Sequence, residues 1–213
     1  MSSDLYLSGK ENILMRLFKK KKNKPVKKNI DTDLALENLL LAKNILNEKK
    51  MDFWLTDGTL LGFYRDNGFI EHDEDIDLGC LIEDLNETVL FDFLDNGFKL
   101  DSIYGNRNIG LEFSFKRKEM KLDIFFFYKE DHKFWHGAWV RKKINGVKKD
   151  NLIKYSYDPF KLIEIEFYGH KFNAPDNIEK YIETKYGKNW KEPVKEWDWA
   201  HGPSNSEATD IYL

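Results

Sequence analysis

The chain has 213 residues, 41% hydrophobic, 15% aromatic and 33% charged, which fits one medium-sized folded domain and excludes a disordered chain. Its single cysteine, Cys80, excludes an internal disulfide framework and any multi-cysteine zinc site. The net charge of -3 conceals an asymmetry: residues 1–30 carry nine Lys/Arg against two acids, leaving 25 against 35 in residues 31–213. With an acidic body whose basic groups are not interleaved with stacking aromatics, nucleic acid is not an expected partner. No run reaches the roughly 18 to 20 apolar residues of a membrane span, and no signal-peptide pattern opens the chain. A cytoplasmic location is therefore expected.

Taken in chain order, the leader places Ile13, Leu14, Leu17 and Phe18 on one helical face, followed by Lys19 to Lys22, Lys24, Lys27 and Lys28. Residues 10–28 read either as a peripheral contact with the inner face of the cytoplasmic membrane or as a solvated basic tail. From the capping pair Asp31-Thr32, Leu36, Leu39, Leu40, Ala42, Ile45 and Leu46 predict a core-facing helix to about Lys50. Phe53-Trp54-Leu55 predicts a short strand that breaks at Asp57-Gly58 into a second helix. After the Asn67-Gly68 turn, a strand is expected over 76–82, then a helix over 86–96 closed by Gly97. Three strands follow at 98–104, 109–115 and 120–128. The basic stretch 141–149 around Asn145-Gly146 reads as an exposed hairpin, gripping an anionic polymer or membrane or simply solvated. A further hairpin is expected over 163–173, and Pro175-Asp176 opens a helix with Ile178, Tyr181, Ile182 and Lys185 before Gly187. The expected organisation is a basic leader, 1–30, and a single α/β domain, 31–213, with a mixed sheet flanked by helices.

The chemistry concentrates in Glu71-His72-Asp73-Glu74-Asp75-Ile76-Asp77, five acids in seven positions ahead of an apolar run. On a strand, Asp75 and Asp77 leave the same face. Two adjacent carboxylates repel unless a cation lies between them, and oxygen-only ligands suit Mg²⁺ or Mn²⁺ rather than zinc. An acidic turn at a solvated strand end is the plainer alternative. Asp123 stands inside Lys121-Leu122-Asp123-Ile124-Phe125-Phe126-Phe127, a run apolar on both faces, where an unpaired carboxylate costs several kcal/mol. Either Lys121 compensates it or it shares a metal with Asp75 and Asp77. In Thr56-Asp57-Gly58-Thr59, a glycine between strand and helix lets an anion approach backbone N–H groups, and Arg65 adds a charged fork; alternatively Asp57 or Thr59 only caps the helix. Taken together, these residues suit metal-assisted phosphoryl transfer: Asp75, Asp77 and Asp123 as metal and catalytic carboxylates, Gly58, Thr59 and Arg65 on the donor phosphates.

The stretch Asp57-Gly58-Thr59-Leu60-Leu61-Gly62 through Arg65 and Gly68-Phe69-Ile70 to Asp75-Ile76-Asp77 resembles the signature of the LicD family. Lys121 to Tyr128, Tyr181-Ile182-Glu183, Tyr186 to Lys191 and Pro193 to Trp199 are similar to its fukutin-like branch, over roughly residues 30 to 205. The resemblance implies a nucleotidyltransferase-like fold. It also implies a CDP-alcohol-dependent phosphotransferase that moves a phospho-alcohol, foremost ribitol 5-phosphate, to a glycan hydroxyl with release of CMP, in surface polysaccharide or glycoconjugate synthesis. Mg²⁺ or Mn²⁺ is the implied cofactor, and a CDP-alcohol and a glycan are the implied partners. The family pattern has Pro-Trp where this chain has Glu71-His72, which leaves the role of His72 open. CDP-choline as donor, a nucleotidyltransferase releasing pyrophosphate, a metal-dependent glycosyltransferase and a non-catalytic membrane- or glycan-binding module stand as alternatives.

Weaker features complete the reading. His132 and His136 are four apart without a third ligand in view, so zinc is not expected. Cys80, among apolar neighbours, is expected to be inert. Trp190, Trp197 and Trp199 are expected to seal the core rather than stack on a ligand.

Overall fold

The computed structural model describes residues 29–213. The leader's membrane-contact segment falls outside them, and no helix among the described residues is long and apolar enough to cross a membrane. In chain order the elements are α1 (Thr32–Glu48), β1 (Phe53–Leu55), α2 (Asp57–Asp66), β2 (Asp75–Leu81), α3 (Val89–Asp95), β3 (Lys99–Asn106), β4 (Ile109–Arg117), β5 (Met120–Glu130), β6 (Lys133–Ile144), β7 (Val147–Tyr157), β8 (Leu162–Phe167), β9 (His170–Pro175), α4 (Ile178–Tyr186) and β10 (Ser206–Tyr212). Eight strands form one mixed sheet and β8–β9 a separate hairpin.

The long strand β5 organises the sheet. Its residues 121–125 are paired on one side with β2, which is parallel, and on the other with β4, which is antiparallel, and Leu122, Ile124, Phe126 and Phe127 are all fully buried. A strand covered on both faces must be apolar on both, which is how its sequence reads. Beyond Phe127 the strand changes partners, and Tyr128 to Glu130 pair with β6. The sheet thus has two arms that share β5: β1-β2-β5-β4-β3 and β5-β6-β7-β10. Helix α1 covers the first arm with Ala35, Leu39, Ala42, Ile45 and Leu46, and its start is fixed by Asp31, whose carboxylate accepts the Leu34 N–H at 3.1 Å. Buried Asn38 ties α1 to the end of β4, donating to the Arg117 carbonyl at 3.2 Å and accepting from its guanidinium at 2.8 Å.

The expected elements are present, with two differences of extent and one addition. The helix expected over 86–96 begins only at Val89, because Asn86 and Thr88 bond to one another as a turn. The basic hairpin is the tip of a far longer ribbon, paired from Phe134↔Tyr157 to Ile144↔Val147. Strand β10 was not expected: Glu207-Ala208-Thr209-Asp210 has no apolar alternation, and it is held by pairing to β7 rather than by burial.

Candidate active site

Strand β2 delivers the acidic pair. It lies in register with β5, with Asp77 beside Asp123 and Asp75 beside Lys121, so three carboxylates from segments more than 40 residues apart share one face. One carboxylate oxygen of each lies within 4.8 Å of the others. Asp77 and Asp123 are buried, and Asp75 is half-buried. Burial pushes the Asp77 carboxyl well above its ordinary range, and the Asp75, Asp57, Asp73 and Asp123 charges push it further. Asp123 is raised as well, chiefly by burial, with Lys121 acting against the rise and Asp75 adding to it. The two sequence readings of Asp123 are therefore compatible: Lys121 Nζ is 2.6 Å from its Oδ2, while Oδ1 is buried with no hydrogen-bond partner among the described residues. That orphaned oxygen, the clustered like charges and the all-oxygen donor set fit a hard divalent cation.

Gly58 and Thr59 serve this cluster directly. The Gly58 N–H donates to Asp77 Oδ2 at 2.8 Å, and the Thr59 hydroxyl accepts the Asp77 N–H at 2.8 Å from a buried position behind the strand. A Cβ on Gly58 would meet Asp73 Oδ2 at 2.4 Å and Asp77 Oδ2 at 3.1 Å, so any side chain there would displace the Asp73 carboxylate. Arg65 is in the last turn of α2 and reaches the same cavity. Its guanidinium bonds both Asp66 oxygens, at 2.9 and 2.7 Å, and the Trp190 carbonyl at 3.5 Å.

The cavity over the carboxylates has a volume of about 780 Å³ and takes walls from both arms of the sheet, from α2 and α4 and from the segment 189–199. It brings in residues that the sequence reading did not assign. Asp57 opens α2 in a left-handed conformation, φ 43°, a costly backbone state for a non-glycine residue. Its buried carboxylate meets Lys185 Nζ at 2.5 Å, with His136 Nε2 at 3.9 Å. Burial alone would raise Asp57, yet the Lys185 charge and then His136 outweigh it, holding the carboxyl below its ordinary value. Glu112 on β4 is pushed up to about 8 by burial and then by Asp123. Two signals in the sequence point this way. Lys185 falls on the apolar stripe Ile178-Tyr181-Ile182 of α4, and Glu112 alternates with Leu111, Phe113 and Phe115 so as to face the cavity. Of the late tryptophans, Trp190 is buried as expected, whereas Trp199 lines the cavity 54% exposed.

His132 and His136 part company: His132 is exposed in the β5–β6 turn, and His136 is buried among Phe125, Phe127, Tyr155 and Tyr157. Cys80 is buried and its thiol is pushed up by burial, in keeping with an inert role. Burial lowers His136 to about 4, Asp57 opposing and Lys185 assisting. The unfolded imidazole takes up its proton near 6.5 and the folded one only near 4, so this residue removes about 3 kcal/mol of stability as pH falls through that interval. The buried carboxylates with raised values act in the opposite sense. The comparison that isolates His136 is therefore His136→Phe, which keeps the ring stack; chemical denaturation at pH 6.5 and pH 4.5 is expected to show a smaller acid loss in the variant than in the parent.

Residues 50–177 match the family model described as LicD/FKTN/FKRP, nucleotidyltransferase domain. The chain is similar to the human protein named ribitol-5-phosphate transferase FKTN, 40% identical over 179 residues, which is 84% of this chain and 38% of that protein. Human ribitol 5-phosphate transferase FKRP is 27% identical over 152 residues, 67% of this chain and 29% of that protein. An uncharacterized protein of Caenorhabditis elegans, T07A5.1, is 30% identical over 188 residues, 84% of this chain and 48% of that protein. The chain thus spans about two fifths of the length of its FKTN relatives.

Proposed function

The chain belongs to the LicD/FKTN/FKRP nucleotidyltransferase-domain family, and from that premise we propose that it transfers a phospho-alcohol, ribitol 5-phosphate in the first instance, from a CDP-alcohol to a glycan hydroxyl with release of CMP. The observation that carries the proposal is the Asp75, Asp77 and Asp123 cluster, one oxygen of each within 4.8 Å of the others, with Asp123 Oδ1 buried and without a hydrogen-bond partner among the described residues, lining a cavity large enough for a nucleotide diphosphate. Asp75, Asp77 and Asp123 would hold Mg²⁺ or Mn²⁺. When bound, such an ion supplies neutralisation of the diphosphate's developing charge.

The chain's own residues do the rest by positioning. Gly58 and Thr59 act on the donor phosphates by fixing Asp77, so that the α2 amino-terminal turn presents carboxylate and backbone as one surface. Arg65, on the cavity wall, trades part of its bond to solvent-facing Asp66 for a donor phosphate oxygen. Asp123 would either complete the shell of that ion or accept the proton of the incoming hydroxyl, with Lys121 orienting it through the 2.6 Å contact. Trp197 and Trp199 line one side of the cavity, where their rings would shield bound reactants from water. A cytoplasmic setting, with residues 10–28 as a peripheral membrane contact, belongs to the same proposal.

The test is a donor screen read by mass spectrometry. Purified protein is given CDP-ribitol, CDP-glycerol or CDP-choline with Mn²⁺ and a glycan acceptor. CMP release from CDP-ribitol, with phosphoribitol appearing on the acceptor, is expected. Pyrophosphate release when a nucleoside triphosphate is supplied instead, or UDP or GDP release from nucleotide sugars, would replace the proposal with a nucleotidyltransferase or a glycosyltransferase.

A further inference from the structure

We infer that the end of the β6–β7 ribbon is a docking surface for an anionic lipid bilayer, separate from the leader and from the catalytic cavity. The ribbon turns at Asn145-Gly146, both with positive φ, 49° and 85°, which gives a tight two-residue reversal in open space. Register pairs Lys142 with Lys149 and Lys143 with Lys148, so each face of the ribbon's end carries two ammonium groups. Among the described residues none of the four is in an ion pair; Lys142 donates to Asn151 and Lys149 lies over the Tyr212 ring. The nearest acid on the ribbon, Asp150, is already held by Arg141.

Electrostatics alone would suit any polyanion. The apex selects the occupant. Val147, paired with Ile144, is 57% exposed at the outermost pair of the ladder, and the end of β10 sets Tyr212 alongside, 38% exposed. A β-branched residue at the tip of a lysine-studded ribbon, with a tyrosine at its flank, reproduces the chemistry that favours a bilayer interface: apolar groups to enter the headgroup boundary, cations behind them and an aromatic between. A soluble anionic polymer would give Val147 nothing to enter. Since residues 31–213 together carry 25 basic against 35 acidic groups, an anionic surface repels most of the body, and the ribbon's end sets which way it faces. The same strand β6 lines the cavity at His136, Ala138 and Trp139, so the tip stands only about five residues, roughly 17 Å, from the cavity wall.

The experiment uses the full chain and vesicle co-sedimentation, comparing phosphatidylcholine alone with phosphatidylcholine containing 30% phosphatidylglycerol. The parent is expected to bind the anionic vesicles and not the neutral ones. Replacing Lys142, Lys143, Lys148 and Lys149 by Gln is expected to lower the partition coefficient at least about tenfold, and Val147→Asp alone at least about threefold, with thermal melting and CMP release from a soluble acceptor unchanged. Unchanged partition of the lysine variant, with the leader carrying all the binding, would overturn the inference. So would indifference to Val147→Asp together with equal binding to soluble polyphosphate, which would assign the ribbon to an anionic polymer.

Discussion

Asp77→Asn is expected to lower CMP release by at least about 10³-fold while leaving the melting temperature of the cation-free protein unchanged or higher. The activity loss follows from the loss of one of three carboxylates clustered within 4.8 Å, since a cation that neutralises a transferring phosphate supplies several kcal/mol. The stability result follows from the opposite side of the same geometry. Burial and four neighbouring acids disfavour ionised Asp77, and asparagine removes that charge while its amide oxygen still accepts the Gly58 N–H. Removing the carboxylate must therefore also abolish the stabilisation that a bound ion confers. Thermal melting of the parent is expected to rise with Mn²⁺ concentration, and that of the variant to stay flat. A variant that still responds to Mn²⁺ like the parent would show that the ion is held elsewhere.

Lys185→Met is expected to cost about 3–5 kcal/mol of unfolding free energy at pH 7, because it leaves the Asp57 carboxylate buried and uncompensated. Both partners are within 8% side-chain exposure, so solvent screens the pair little. Its pH dependence has a definite sign. The folded Asp57 value is held below the ordinary one, so the pair's contribution is complete above the ordinary carboxylate range and fades as pH falls through the lower, folded value. Pairing the change with Asp57→Asn removes the stranded charge, and the double variant is expected to recover most of the loss in urea denaturation at pH 7. A single variant that loses less than about 1 kcal/mol would show that Asp57 does not depend on Lys185. Because the Asp57 backbone is also strained, this ion pair is what holds the first residue of α2, and with it Gly58, against Asp77.

Much of the site could be read before any folding was considered. Asp75 and Asp77 declare themselves by two-residue spacing at the head of an apolar strand, and Asp123 by being a charge in a run that has no polar face. Each reading is local, resting on side-chain alternation and the cost of a buried charge. Glu112 and Lys185 had weaker signals, because a polar residue on an amphipathic element is usually solvent-facing, and only the cavity reverses that expectation. His136 was legible as a histidine but not as a member of the Asp57–Lys185 group, since 79 residues and the four strands β2 to β5 separate it from Asp57. Gly58 shows the same limit. Its lack of a side chain was evident, yet the atoms nearest the bare Cα belong to Asp73 and Asp77, on a segment that returns from outside α2.

Composition and periodicity by themselves determined that the chain forms one α/β domain with a mixed sheet, that most of its elements fall where they do, and that its carboxylates sit on strands. These are properties of single segments: side chains alternate along a strand, recur on a helix face, and break at glycine and asparagine turns. Tertiary structure alone decided that Asp77 stands beside Asp123, because parallel pairing of β2 with β5 spans a long crossover and its register is set by packing both faces of β5. It decided equally that β10 exists, which its polar sequence does not announce, and that the lysine turn is the far end of a ribbon whose near end walls the cavity. Such facts depend on which segments meet, and that is fixed by the shared burial of residues distant along the chain rather than by any one of them.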